Sequence, residues 1–431
     1  MFCAVGVVLA LLLWARAALA LDWSWGGTLR LDAAYQASNE RSLLNPGRQL
    51  FDVASRIGQG VLDLRLGGGP HPALDFALIN RAIGTVTEHG DGVDNILEDA
   101  YVVYRMSPHL LIEVGKERVR EGVGYAWNPV DFFRTRAAAA LSQDPKEQRD
   151  HRPGHYLVRA EARAGRRGLA IVYAPELDGL DTEGVSNTVE QFWARGSDLV
   201  AGTDVALYLY RGREWQGGVS LARVFGDALE LHFEGTLRRM RSRELPAFVA
   251  PSGRPGAVPV PLWRERRLHR LVGEALLGAQ YTFRSGVNLI AEYFYNGDGL
   301  TSREWETVFD GLSLARSFQD GGNARVSGPP DLPRIFLLRA NQLLTPGESG
   351  RHYAFVRASG SLPPARELAL SGFLLLNLQD GSGTLSGEAR YRMARDLEGV
   401  LTLDFFYGSR RSEFGSLPIG SVVRASLRYS F

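Results

Sequence analysis

Cysteine is almost absent from this chain of 431 residues, and the only one is Cys3. It lies in an apolar N-terminal segment that we predict to be removed. The remaining chain, from Leu21 onward, would then have no thiol, which excludes disulfides, zinc–thiolate sites and a cysteine nucleophile. A protein of this size without disulfides has to be stabilised by a large core or by a membrane. The pattern of hydrophobic residues decides between these two.

Lysine is also scarce, with Lys116 and Lys146 the only two, and no sign of charge predominates. The chain has 49 Lys+Arg against 48 Asp+Glu, a net charge of +1. This balance argues against a nucleic-acid partner, which generally needs a clear basic excess. The preference for arginine fits either an arginine-lined surface for anions or the coding bias of a GC-rich genome. We favour the coding bias.

Long apolar runs are missing apart from a short one at the N-terminus. Residues 4–14 have the length of the apolar part of a secretory signal, and Ala18-Leu19-Ala20 follows as a small-residue cleavage site. No lysine or arginine precedes this run. No other stretch approaches the roughly 18 residues that a membrane-spanning helix needs. We therefore predict a signal peptide at 1–20, export of the protein, and a single domain over 21–431.

The chain does contain a hydrophobic period of two. Apolar side chains alternate with polar ones in segments such as 28–36, 156–163 and 423–431. This alternation is typical of strands with one apolar and one polar face. About 18 strands can be delimited in this way, one of them at 334–340. Short turns alternate with longer polar loops, including 84–95, 175–200 and 240–266, and the segment 303–316 has helical spacing instead.

The polar faces of these strands carry ionised groups of both signs. A soluble sandwich or propeller would bury the apolar face, whereas a membrane barrel turns that face toward lipid and keeps water inside. The final strand ends in Tyr429 and Phe431, an aromatic pattern that barrel-assembly machinery recognises. We predict an all-β fold, a transmembrane antiparallel β-barrel of about 16–18 strands with long loops on one side. Its surroundings would be the lipid of the bacterial cell outer membrane.

Strand parity assigns many charged side chains to the lumen. Arginine on the lipid face would cost about 2–4 kcal/mol at the membrane midplane, and rings of charge set the ion preference of a pore. Most of these side chains would nevertheless simply pair across neighbouring strands. The predicted pore-lining residues are Arg30, Asp32, Asp63, Arg65, Asp75, Arg159, Glu161, Arg163, Glu230, Glu234, Glu292, Asp404, Arg424 and Arg428.

The most distinctive segment is Gly115–Phe133 (GKERVREGVGYAWNPVDFF), which begins as a strand and continues into a long connection to Tyr156. One hypothesis is that it folds into the lumen as a constriction or plug, with Arg118 and Arg120 facing acids on the wall. The alternative is an extracellular loop packed on its own aromatic residues. The residues assigned to this constriction loop are Arg118, Arg120, Glu121, Trp127, Asn128 and Asp131.

The same segment, together with Asp150–Gly154 and Glu292–Gly297, resembles a group of porin-like outer-membrane proteins. More distantly, the G-[KR]-x-R-x-R-E pattern at Gly115–Glu121 is similar to the alginate-export outer-membrane barrels. That resemblance implies a large monomeric barrel whose arginine-rich lumen conducts an anionic polysaccharide. The motifs cover about a tenth of the chain, and they specify the class of barrel better than its cargo.

Catalytic and metal-binding motifs are weak. His151 and His155 have the spacing of a helical zinc pair, but Pro153-Gly154 between them prevents the helix. No nucleophile elbow, phosphate loop or dinucleotide fingerprint is present. We predict no enzymatic activity, metal or cofactor. The leading hypothesis is passive diffusion of small polar or anionic solutes; the alternatives are export of an anionic polysaccharide and a hydrolase or adhesin carried on a barrel.

Overall fold

The computed structural model describes residues 22–48, 50–134, 142–177, 187–249, 259–319, 332–361 and 367–431. The predicted signal peptide at 1–20 lies outside this part of the chain. Eighteen strands form one antiparallel sheet. They are β1 (Asp22–Ser38), β2 (Arg56–His71), β3 (Leu74–Thr87), β4 (Gly90–Ser107), β5 (Leu110–Glu117), β6 (His155–Ala164), β7 (Arg167–Ala174), β8 (Gln191–Val200), β9 (Thr203–Arg211), β10 (Trp215–Phe225), β11 (Leu229–Val249), β12 (Val260–Thr282), β13 (Asn288–Asn296), β14 (His352–Ser361), β15 (Leu368–Asn377), β16 (Gly383–Ala394), β17 (Leu397–Tyr407) and β18 (Ile419–Ser430).

The sheet closes into a barrel because β1 pairs with both β2 and β18. At this seam the Gly27 amide donates to the Phe431 carbonyl over 3.0 Å, and the Phe431 amide donates to the Gly27 carbonyl over 3.1 Å. Each strand otherwise pairs with its neighbours in sequence. The predicted antiparallel barrel of 16–18 strands is therefore confirmed, with 18 strands.

The alternation in sequence becomes an apolar exterior and a polar lumen. Outward side chains such as Leu207, Leu271 and Leu277 are 62%, 73% and 61% exposed, although each is large and apolar. Lumen-facing neighbours are ionised and paired, as in Arg81 and Asp63, whose Nε and Oδ1 atoms are 2.6 Å apart. An apolar band facing outward around a polar interior is the arrangement of a barrel that spans a membrane.

The long loops all lie at one end of the barrel, as the sequence predicts. Turns at the other end are short, for example 165–166, 201–202 and 395–396. In outer-membrane barrels the short turns face the periplasm and the long loops face outward. The long loops are 39–55, 118–154, 175–190, 297–351 and 408–418.

The described parts of these loops contain three α-helices, α1 (Pro145–Asp150), α2 (Ser302–Gln319) and α3 (Leu332–Leu343), and a 3-10 turn at Pro46–Arg48. The predicted helix at 303–316 corresponds to α2. It starts with a capping box, in which the Glu304 amide donates to the Thr301 hydroxyl and the Thr301 amide donates to the Glu304 carboxylate. Among the described residues, no helix is long and apolar enough to cross a membrane.

Several predicted boundaries are wrong. The segment 334–340 is part of α3, not a strand, because the buried residues of this helix, Pro333, Phe336, Leu337 and Ala340, follow helical spacing. The supposed loop 175–200 contains β8, and the supposed loop 84–95 is a tight hairpin between β3 and β4. Residues 240–249 and 260–266 extend β11 and β12, the two longest strands at 21 and 23 residues.

Candidate functional site

The loop 118–154, which joins β5 to β6, contacts the lumen side of several strands. Its first residue, Arg118, donates from Nη1 to the Glu98 carboxylate over 2.6 Å and from Nε to the Asp99 carboxylate over 2.9 Å. Both acids belong to β4 and are buried. This arrangement agrees with the first hypothesis for Arg118. Arg120 differs, because it contacts Asp150 of the same loop, with Nη1 2.9 Å from Oδ1.

Two wall carboxylates hold the middle of the loop. Glu234 of β11 accepts hydrogen bonds from the amides of Val123 and Gly124 at 2.5 and 2.9 Å. Glu292 of β13 accepts from the next two amides, those of Tyr125 and Ala126, at 2.5 and 2.9 Å. Both glutamates are buried beneath the loop. They therefore bind the backbone of the loop, whose amides would otherwise be unsatisfied.

Glycine permits this close approach. Gly122 has a φ of +102°, and a Cβ atom there would lie 2.7 Å from the Glu234 carboxylate and 2.4 Å from the Asn128 side chain. A larger residue would push the loop away from the wall. The glycine-rich sequence of this loop thus has a local physical reason.

Aromatic side chains pack the loop onto two parts of the wall. Trp127 stacks on Phe294 with ring centres 5.1 Å apart, and its Nε1 donates to the Gly347 carbonyl over 2.9 Å. Farther along, Phe132 stacks on Tyr210 at 5.1 Å, and Phe133 contacts Trp193. The aromatic residues of the loop thus lie inside the barrel against its wall.

The short helix α1 completes the inward part of the loop. Asp144 caps it by accepting from the amides of Lys146 and Glu147, and the Arg30 guanidinium of β1 donates to Glu147 over 2.7 Å. Burial alone would raise the pKa of Glu147, but the hydrogen bond from Ser142 and the charges of Arg30 and Arg424 outweigh it and lower the pKa to about 2. Glu147 is therefore ionised at neutral pH and ties α1 to the wall.

A cationic cavity of about 320 Å³ lies beside the loop. Lys146 and Arg149 of α1 line it together with Arg357 of β14. Among the residues that the structure describes, no acidic side chain lines this cavity, and none forms an ion pair with these three. Its remaining polar side chains include those of Gln280, Asn288 and His232, and the His232 ring lies 3.2 Å from the buried Glu292 carboxylate. We refer to Lys146, Arg149 and Arg357 as the cationic triad.

Tyr125 and its neighbour Gly124 contact two members of the cationic triad. The Arg357 guanidinium lies over the Tyr125 ring, 4.9 Å from the centre, and the Arg149 Nη1 donates to the Gly124 carbonyl over 3.0 Å. The Tyr125 hydroxyl donates to Asp144. Burial and the Asp144 charge raise the pKa of Tyr125, so its hydroxyl remains protonated.

Lys146 and Arg357 also line a second, larger cavity of about 640 Å³. Here basic side chains are accompanied by acids, including Glu98, Glu147 and Glu388. Four of the predicted pore-lining residues lie on this cavity: Arg30, Asp63, Arg65 and Arg428. The cationic triad therefore stands where two lumen cavities share residues.

The other predicted pore-lining residues also lie on the lumen side, but most are engaged in pairs. Arg159 donates to Glu161 over 2.8 Å, and Glu161 also binds Arg163 at 2.7 Å. Asp75 pairs with Arg105 near the short-turn end. Asp32, Asp404 and Arg424 are buried, Asp32 beside Arg30 at 2.9 Å. Glu230 lies 3.6 Å from His232.

The other constriction-loop residues have structural contacts within the barrel. Glu121 binds Arg195 of β8, with Nη1 3.0 Å from Oε2. Asp131 forms a buried ion pair with Arg152 at 2.6 Å, which joins the middle of the loop to its C-terminal end. Asn128 is buried, and its carbonyl accepts from the Asp131 amide. Lys146, Arg149, Arg357 and Tyr125 were missed as site residues by the sequence analysis.

The sequence matches no protein-family model and no curated protein sequence. The fold does match solved structures from Pseudomonas aeruginosa. OccK11 (OpdR) has a TM-score of 0.55 at 12% identity, with 96% of each chain covered. OccK2 (OpdF), solved in complex with glucuronate, has a TM-score of 0.54 at 13% identity, covering 96% of this chain and 98% of its own. OccD3 (OpdP) gives 0.52 at 13% identity, covering 95% of this chain and 91% of its own. The chain has the fold of a porin-like outer-membrane β-barrel.

Proposed function

We propose that this protein is an outer-membrane channel through which small polar solutes diffuse passively, with a preference for anions. The observation that carries the proposal is the cationic triad, which lines a lumen cavity without an acidic residue among those described. The Coulomb attraction between a carboxylate and one cationic group about 4 Å away is roughly 4 kcal/mol at an effective dielectric constant of about 20. A cation of the same size would meet a barrier of similar height.

The geometry of the triad suits a small carboxylate. Arginine presents paired N–H donors that match the two oxygens of a carboxylate, and the amides of Gln280 and Asn288 can bind hydroxyl groups beside it. The structure of OccK2 contains glucuronate, a solute of this chemical kind. We infer that hexose-sized carboxylates are among the solutes of the present channel.

Liposome swelling tests the proposal directly. Vesicles containing the refolded chain 21–431 would be diluted into glucuronate, glucose or glucosamine, which are similar in size and differ in charge. We expect the fastest swelling with glucuronate and the slowest with glucosamine. Equal rates for the three solutes, or fastest entry of glucosamine, would refute the anion preference.

A conduit for an exported anionic polysaccharide, as the resemblance to the alginate-export barrels implied, is less well supported. A polymer needs a wide basic passage along the whole lumen. Here the loop 118–154 is bound to wall residues Glu234 and Glu292, and lumen arginines such as Arg81 and Arg159 are paired with acids. No arrangement among the described residues favours the hydrolase or adhesin alternatives.

Export and assembly signals belong to the same proposal. We infer that residues 1–20 direct secretion and that Tyr429 and Phe431 are recognised by barrel-assembly machinery. In support, both aromatic side chains are exposed, at 47% and 43%. The Phe431 ring lies 5.9 Å from that of Trp25, on the strand that closes the barrel.

A further inference from the structure

A row of arginine and tryptophan side chains crosses the outer face of β9 to β11 and ends beside Leu271 of β12. Arg211 of β9 pairs with Trp215 of β10 in the strand register, and its guanidinium lies 5.7 Å from the Trp215 ring centre. Gln216 pairs with Arg238, which places Trp215 beside Arg239 of β11. Arg239 pairs in turn with Leu271 of β12.

This row faces outward, away from the lumen. Trp215 is 54% exposed and Leu271 is 73% exposed, while the alternate residues Tyr208 and Tyr210 of β9 are buried on the lumen side. Arg211 and Arg239 are exposed as well. The side chains of the row are therefore separate from the channel and from the cationic triad.

The row marks the end of the apolar belt toward the long loops. On the side of the short turns, the next outward residues are Leu209 and Leu237, which are 45% and 61% exposed. Tryptophan is enriched where the apolar core of a membrane meets its headgroups. The arginines beside Trp215 accordingly lie at headgroup depth on the outer side.

Two more arginines lie just beyond the row. Arg213 is exposed in the turn between β9 and β10, and Arg241 occupies a bulge of β11 with 73% of its side chain exposed. The one acid among them, Glu214, lies 3.8 Å from Arg241. Arg211, Arg213 and Arg239 form no ion pair with any described residue. These four arginines with Trp215 are called the outer arginine patch below.

We propose that the outer arginine patch binds the phosphorylated headgroup of a glycolipid in the outer leaflet of the membrane. Guanidinium groups bind phosphate through paired, charge-assisted hydrogen bonds. The adjoining leucines contact the acyl chains of the same lipid, and the Trp215 ring lies at the boundary between the two. The patch has four guanidinium groups and one carboxylate, so it carries a net positive charge. This charge suits a headgroup with more than one phosphate.

Lipid binding to the refolded full chain can be measured by native mass spectrometry in neutral detergent. The probes are lipid A with two phosphates and the same lipid with its phosphates removed. The test variant replaces the arginines of the patch by glutamine (R211Q, R213Q, R239Q and R241Q). The matched control removes four exposed arginines at the short-turn end (R223Q, R284Q, R392Q and R395Q).

We expect the wild-type protein and the control variant to bind phosphorylated lipid A at least tenfold more tightly than the test variant does, since each basic group at a membrane surface adds to the attraction for anionic lipid. Removing the phosphates should abolish the difference. The proposal is overturned if the test variant binds as tightly as the control, or if the lipid without phosphates binds the wild type equally well. Heat-modifiable electrophoretic mobility establishes that each variant is folded before binding is compared.

Discussion

Two wall carboxylates in this barrel bind the backbone of the loop 118–154 and not the solute. Glu234 and Glu292 were predicted from strand parity to line the pore, and both do point inward. They are covered, however, by the four loop amides that they bind. Both carboxylates are buried beneath the loop, so neither can contact a passing solute directly.

Replacing both glutamates (E234A with E292A) should release the middle of the loop. Each buried N–H left without a partner costs about 1–3 kcal/mol. The docked position of the loop is therefore destabilised by several such costs. We expect larger and noisier single-channel conductance. The matched control is E230A, which removes a lumen carboxylate of the same strand whose ion-pair partner is His232 and not a described residue of the loop. Equal conductance of the double variant and this control would contradict the role of the two glutamates.

Because of Glu147, docking of the loop against the wall depends on pH and weakens as the pH falls. The pKa of Glu147 is lowered from 4.5 to about 2 in the docked state, so the ionised carboxylate favours docking fully above about pH 4.5. The contribution declines as the pH falls and is lost below about 2. We expect wild-type conductance to become noisier between these pH values, whereas E147Q should be noisy already at pH 7 and change little. An unchanged acid response in E147Q would rule out this explanation.

Among the elements, α1 determines where two of the three triad cations lie. Loss of an N-cap side chain generally costs about 1 kcal/mol. In D144A the helix should fray and Tyr125 should lose its hydrogen-bond acceptor, which spreads Lys146 and Arg149 away from the cavity. We expect weaker anion preference in D144A than in D144N, since asparagine can still cap the helix and removes the same charge. Reversal potentials of the two variants provide the comparison.

The sequence was sufficient to predict most strands, because water inside and lipid outside impose strict alternation. It was insufficient where the lumen face is itself apolar. In β8, Trp193 faces inward but is buried against Phe133 of the loop, so the two faces of the strand no longer differ in polarity. In β14, Arg357 shares its face with Tyr353 and Phe355, both of which contact Trp127. Its position in the lumen was hidden for the same reason.

The remaining members of the site could not be predicted from local patterns. Lys146 and Arg149 belong to a short helix whose position depends on contacts with strands distant in sequence. Arg30 is 117 residues from its partner Glu147, and Glu292 is 166 residues from Ala126. Such contacts have no period in the sequence. The glycines at 122 and 124 were the available local signal that the loop approaches another backbone or side chain.

At the scale of the whole molecule, the fold separates three environments. The apolar exterior faces lipid, the long loops lie at one end, and the loop 118–154 divides the lumen into cavities. The seam between β1 and β18 completes the barrel, and a Cβ atom at Gly27 would lie 2.6 Å from the Phe431 ring. Closure keeps every strand paired, as a lipid environment requires, and it fixes the wall residues that hold the loop.

The central claim is that the cationic triad makes this lumen selective for anions. The most direct test is the reversal potential of single channels in a planar bilayer under a potassium chloride gradient. We expect an anion-selective potential for the wild type and a clear shift toward cation selectivity for K146Q with R149Q and R357Q. A control that removes three arginines outside the lumen (R223Q, R239Q and R284Q) should resemble the wild type. A cation-selective wild type, or a triad variant with an unchanged potential, would contradict the claim.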